Sequence, residues 1–236
     1  MAGLLTSLIF ALGLAGGLTQ NPEELLRRSD VGAFSPHAFR ARLVLKAGAS
    51  THEIEVWRSG EAKTLIRFMD PKERGKFLLR LSGEVWLLTP TAKRPVRLSP
   101  SYRLYGGATL DEILGIRLAD AYAVESSSKE SDAGGALVVL ELRAKAEGLL
   151  FPQVRYVVRE STARPVSATY RLRSGREATA VVFQEWYERY PRHLIVKDLL
   201  RKGAETDVNI LEIQERTIPD GLFSLDDPTA RRELKD

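Results

Sequence analysis

The stretch Phe39-Arg40-Ala41-Arg42-Leu43-Val44-Leu45-Lys46 decides the fold class. Phe39, Ala41, Leu43 and Leu45 alternate with Arg40, Arg42 and Lys46. A period of two places successive side chains on opposite faces of a strand. The apolar face is then buried and the charged face meets water, as in an antiparallel sheet with one covered side. The next segments repeat the pattern. Residues 51–58 set Ile54 and Val56 opposite Glu53, Glu55 and Trp57, and residues 62–69 set Ile66 and Phe68 opposite Lys63 and Arg67. Residues 75–81 set Phe77, Leu79 and Leu81 opposite Lys76 and Arg80, and 84–89 and 94–98 continue the meander around a turn at Pro90.

Farther along, Glu125 to Gly135 (ESSSKESDAGG) reads as a solvated loop joining two halves of one sheet. Beyond it, residues 136–144 set Val138, Leu140 and Leu142 opposite Glu141 and Arg143, and further strands are expected at 152–160, 165–173, 177–188, 192–200 and 206–216. Roughly ten to twelve strands is the size at which an open sheet must curl or split. The pattern alone leaves two architectures open: a sandwich whose halves cover each other, or an incomplete antiparallel barrel with a short helical lid over an apolar hollow.

Helical signals are few. Asn21-Pro22-Glu23-Glu24 combines a cap residue, a proline at the first helical position and acids in the first turn, and opens a helix presenting Leu25 and Leu26. Thr109 and Glu112 form a capping-box pattern with Leu110, Ile113 and Leu114 on one face.

The chain has 236 residues, 44% hydrophobic and 28% charged, enough to bury a full core without cross-links. It has no cysteine, which excludes disulfides, zinc-thiolate sites and thiol catalysis. The net charge of +4 is spread over 35 basic and 31 acidic residues rather than concentrated on one element, which argues against nucleic acid as partner. Residues 1–22 carry no charged side chain, and Leu4 to Leu18 is nearly all apolar. Fifteen residues is short for a bilayer span and suits the apolar region of a signal peptide. Residues 1–20 are therefore read as a signal for export, with a retained anchor or a buried segment as the other readings, and 21–236 as one domain.

The motifs of catalysis are missing. His37, His52 and His193 have no partner at metal-ligand spacing, and no nucleophile elbow, phosphate loop or dinucleotide fingerprint occurs. The expectation is a protein that is not an enzyme and needs no cofactor or metal. The basic stretch from Lys72 to Arg80 could meet lipid headgroups or an acidic partner.

Three blocks in the first half form an ordered set: Asp70-Pro71-Lys72-Glu73-Arg74-Gly75-Lys76-Phe77-Leu78-Leu79, Glu84-Val85-Trp86-Leu87-Leu88-Thr89-Pro90, and Lys93-Arg94-Pro95-Val96-Arg97-Leu98-Ser99-Pro100. Together they resemble a divergent branch of the LolA-like outer-membrane lipoprotein-sorting family, as does the closing Pro219-Asp220-Gly221-Leu222-Phe223-Ser224. At Tyr105-Gly106-Gly107-Ala108-Thr109 the sequence departs from the branch's usual pattern. The resemblance implies an incomplete barrel with a helical lid, a periplasmic location, and a carrier that holds the acyl chains of a lipid or lipoprotein. It leaves room for transient membrane contact and for an inner-membrane transporter as partner. An accessory or scaffold domain for such a transporter, with a filled core, is the alternative. The cavity candidates are Leu43, Leu45, Ile54, Val56, Ile66, Phe68, Phe77, Leu79, Val138, Leu140 and Leu142; Leu110, Ile113 and Leu114 would face the cavity from the lid. For each of them, ordinary core packing is the competing reading.

Overall fold

The computed structural model describes residues 21–30, 37–92, 94–99, 102–105, 107–109, 117–188, 190–227, 231 and 234. The expected lid face of Leu110, Ile113 and Leu114 and the segment 1–20 lie outside the described residues.

Thirteen strands form one antiparallel sheet. In chain order they are β1 (Ala38–Ala47), β2 (Ser50–Ser59), β3 (Lys63–Phe68), β4 (Phe77–Leu81), β5 (Glu84–Leu88), β6 (Val96–Leu98), β7 (Tyr122–Asp132), β8 (Gly135–Ala144), β9 (Gln153–Arg159), β10 (Arg164–Arg171), β11 (Glu177–Tyr187), β12 (Tyr190–Asp198) and β13 (Ala204–Glu215). Spatially, β6 back to β1 is followed by β13 back to β7. The two meanders are joined by β1 pairing with β13, where Leu45 lies opposite Val208. Strands β6 and β7 are the two ends, and the sheet is not closed into a barrel. This is the incomplete barrel that the family resemblance implies, one of the two architectures the strand pattern leaves open.

One expectation is overturned. Glu125–Asp132 is not a loop but most of β7, which pairs along its length with β8 and turns only at Ala133–Gly134. Beyond Val124 every residue of β7 is exposed. An end strand with no neighbour on one side can carry serine and charge on both faces, and such side chains discourage pairing with another chain. Polarity there reflects an edge position.

Among the described residues two short α-helices accompany the sheet: α1 (Pro22–Ser29) and α2 (Leu118–Ala121). Helix α1 starts as the sequence predicts. The Asn21 side chain accepts from the Glu23 backbone N–H at 3.0 Å, Pro22 occupies the first turn, and Arg27 and Arg28 close the last. Leu25 and Leu26 are buried in the main core, which takes residues from every strand from β1 to β5 and from β7 to β13. Leu98 of β6 packs against it. One face of the sheet is thus apolar along its whole width, and α1 lies on it.

Candidate functional site: the inner sheet face under helix α1

Nine of the eleven cavity candidates come together on this inner face: Leu43, Leu45, Ile54, Val56, Ile66, Phe68, Val138, Leu140 and Leu142. None is more than 8% exposed, and Leu25 and Leu26 of α1 sit among them at 1% and 0%. Helix α1 therefore covers part of this apolar surface, on the side of β7 and β9, and Leu104, Tyr105, Ala108 and Leu118 pack into the same core.

Phe77 and Leu79 are placed elsewhere. They belong to a second cluster, on the outer face, with Trp57, Leu65, Ile218, Leu222 and Phe223. The register explains why. Ile66 pairs with Leu78 and Leu65 with Leu79, so Leu78 shares the inner face with Ile66, and Leu79 goes outward with Leu65. Residues 77–79 are three apolar residues in a row, and alternation alone cannot say which parity faces inward. The outer face here is covered by the chain after β13, including the 3-10 turn Asp220–Phe223, so it too must be apolar.

Helix α1 is held at both ends by polar contacts. The Glu23 carboxylate accepts from the Val124 N–H at 2.8 Å, and the Asp30 carboxylate accepts from the Ala119 N–H at 2.8 Å. Tyr156 donates its hydroxyl to the Ser29 carbonyl at 2.6 Å. Burial, with the nearby Asp30 charge, pushes the Tyr156 pKa well above the ordinary tyrosine value, so this hydroxyl stays a donor. These contacts satisfy the end of a helix too short to be stable alone.

At the rim, Tyr105 joins a polar cluster that sequence reasoning missed. Asp70, which opens the 3-10 turn Pro71–Glu73, also meets His52 Nδ1 at 2.6 Å. The His52 ring stacks on Tyr105 with centroids 3.5 Å apart, and Tyr105 meets Phe68 edge-on. Burial is the main cause that raises the Tyr105 pKa above the usual range. Thr206 donates to the Tyr105 carbonyl at 2.8 Å. The arrangement ties Tyr105 to β2 and β13 across the inner face. Residues 18 and 53 positions apart gave no sequence signal for it.

No group of three or more His, Cys, Asp or Glu among the described residues could hold a metal ion. No described helix is long and apolar enough to cross a membrane.

The chain belongs to a family described as "Uncharacterized protein", whose model matches residues 60–227. No curated protein matches the sequence. Among solved structures the chain is similar to a LolA superfamily protein from Nitrosomonas europaea, 22% identical over 86% of this chain and 97% of that one, with a TM-score of 0.75. It is also similar to a putative outer membrane lipoprotein-sorting protein domain from Vibrio parahaemolyticus (16% identical, 91% and 96% covered, TM-score 0.68). A third is a DUF1329 family protein from Desulfovibrio piger (17%, 86% and 95%, TM-score 0.66). At these identities the likeness establishes a shared fold, the LolA-like open barrel that the three sequence blocks suggest.

Proposed function

We propose that this protein is a non-enzymatic periplasmic carrier that binds the acyl chain of a lipid or lipoprotein on the inner sheet face after α1 moves aside. The observation that carries the reading is a continuous apolar face spanning an open thirteen-stranded sheet, covered in part by a helix of only eight residues. The apolar N-terminal segment supports export, and the fold of the Vibrio sorting domain supports the class of cargo.

Magnitudes make the exchange feasible. Returning Leu25 and Leu26 to water costs about 1.5–3 kcal/mol each. Breaking three hydrogen bonds adds about 1 kcal/mol net apiece. The closed state is then favoured by roughly 6–9 kcal/mol from these contacts. An acyl chain gains about 0.8 kcal/mol per buried CH₂, so about 15 methylenes bring roughly 12 kcal/mol. A chain of that length displaces the helix, whereas a much shorter one does not. The same figure makes unaided release into water slow, so cargo would pass directly to a membrane or an acceptor with comparable apolar surface.

The test is uptake of a fluorescent long-chain fatty acid by the full chain and by the variant Leu25→Ala/Leu26→Ala. Weakening the plug lowers stability and tightens uptake, by about tenfold for each 1.4 kcal/mol removed from the closed state. No uptake by either protein, with both folded, would instead favour a filled-core scaffold.

A further inference from the structure

A separate cleft of about 890 Å³ opens at one end of the sheet, where β3 ends, β4 begins and β5 ends. That volume lies within the range of about 300–1,000 Å³ typical of small-molecule sites. The floor includes Phe68 and Phe77, one from each of the two apolar clusters, together with Met69 and Leu88. Two loops and the C-terminal segment build the walls. On one side is the turn through Gly75, on another Thr89, Pro90, Ala92 and Pro95, and Leu225 and Leu234 close the third. The first two walls meet where Gly75 passes Pro90. Gly75 has φ +80°, and a Cβ there would lie 2.7 Å from the proline ring, so the close approach requires glycine.

The polar lining is unbalanced. Arg67, Arg74, Arg94 and Arg231 stand against a single acid, Asp226. Two of the four are already engaged: Arg67 with Glu55 at 3.2 Å, and Arg231 with the carbonyls of Leu222 and Ser224. Arg74 and Arg94 are exposed and have no ion-pair partner among the described residues. An apolar floor beside two unengaged guanidiniums matches a ligand with both characters. Guanidinium presents a planar fork of donors suited to phosphate or carboxylate.

We propose that this cleft binds a single-chain amphiphile with an anionic head, the chain lying on Phe68, Phe77 and Met69 and the head held by Arg74 and Arg94. The site goes beyond acyl carriage on the inner face, since it is open without movement of α1. An acidic headgroup of a lysophospholipid and the carboxylate of a free fatty acid share this chemistry.

The experiment is calorimetric titration of the full chain with monomeric dodecyl phosphate, dodecanoate and the neutral dodecyl maltoside, for wild type, Arg74→Ala/Arg94→Ala and Arg74→Lys/Arg94→Lys. Loss of two charge-assisted contacts is expected to weaken dodecyl phosphate at least about tenfold, with partial rescue by the lysine pair. Dodecyl maltoside changes less than about twofold between the variants, in line with its uncharged head. If dodecanoate matches dodecyl phosphate, fatty acids are the source; if it is clearly weaker, phosphate headgroups are. The loss caused by Arg74→Ala/Arg94→Ala is the same in the Leu25→Ala/Leu26→Ala background, which separates this cleft from the inner face. The proposal is overturned if the arginine substitutions leave dodecyl phosphate binding intact, if inorganic phosphate binds as well as dodecyl phosphate, or if only anionic vesicles bind.

Discussion

The two halves of the sheet treat their outer faces differently. In β2–β4 the outer side chains Trp57, Leu65, Phe77 and Leu79 are buried beneath Ile218, Leu222 and Phe223. On β8–β10 the outer face carries a charge ladder. Glu141 accepts from Arg155 at 3.3 Å and Arg171 at 3.0 Å, and Arg155 reaches Glu130 at 2.8 Å. Only a small patch of Leu137, Val139 and Val157 interrupts it. The inner face is apolar in both halves. A sheet of one architecture is thus covered on two sides in one half and on one side in the other, and the C-terminal segment makes the difference.

This contrast can be broken most severely on β8, where neighbouring residues face opposite ways. Leu140→Glu places a carboxylate among fully buried side chains and removes about 4 kcal/mol or more, read as loss of cooperative unfolding in urea. A milder change targets the cover of the other half. Phe223→Ala costs about 3–5 kcal/mol and uncovers the outer face of β3 and β4, which a dye specific for exposed apolar surface would report. Removal of charge from the ladder has the smallest effect. Glu141→Gln costs about 1 kcal/mol or less, because Arg155 and Arg171 remain partly solvated and Arg155 keeps Glu130. A large loss for Glu141→Gln, or a small one for Phe223→Ala, would reverse the assignment of which outer face is structural.

Sequence reading succeeded where a strand has one wet face. Leu43 and Leu45 alternate with arginine and lysine, and Val138, Leu140 and Leu142 with glutamate and arginine, so their parity is unambiguous and the structure places all five inside. It failed at Phe77 and Leu79, where both faces are dry and the signal for the outer cover lies far away at Leu222 and Phe223. It also failed at Ser126–Ser128, where the lack of apolar residues reflects a sheet edge. The cap and proline of α1 were legible. Its position on the inner face was not, because the bonds from Glu23 to Val124 and from Tyr156 to Ser29 join residues more than 100 positions apart. The rim cleft was visible only as a basic run. Arg74 belongs to that run, whereas Arg94 and Arg231 join it through the loop and the C-terminal segment.

The central claim is that α1 leaves the inner face when an acyl chain enters. Amide hydrogen exchange of the full chain, measured with and without a saturating long-chain fatty acid, tests it directly. The account predicts faster exchange at Leu25–Ser29 in the loaded protein, with the amides of β1 and β8 no less protected than before. Stoichiometric binding that leaves the α1 amides as protected as in the empty protein would contradict it.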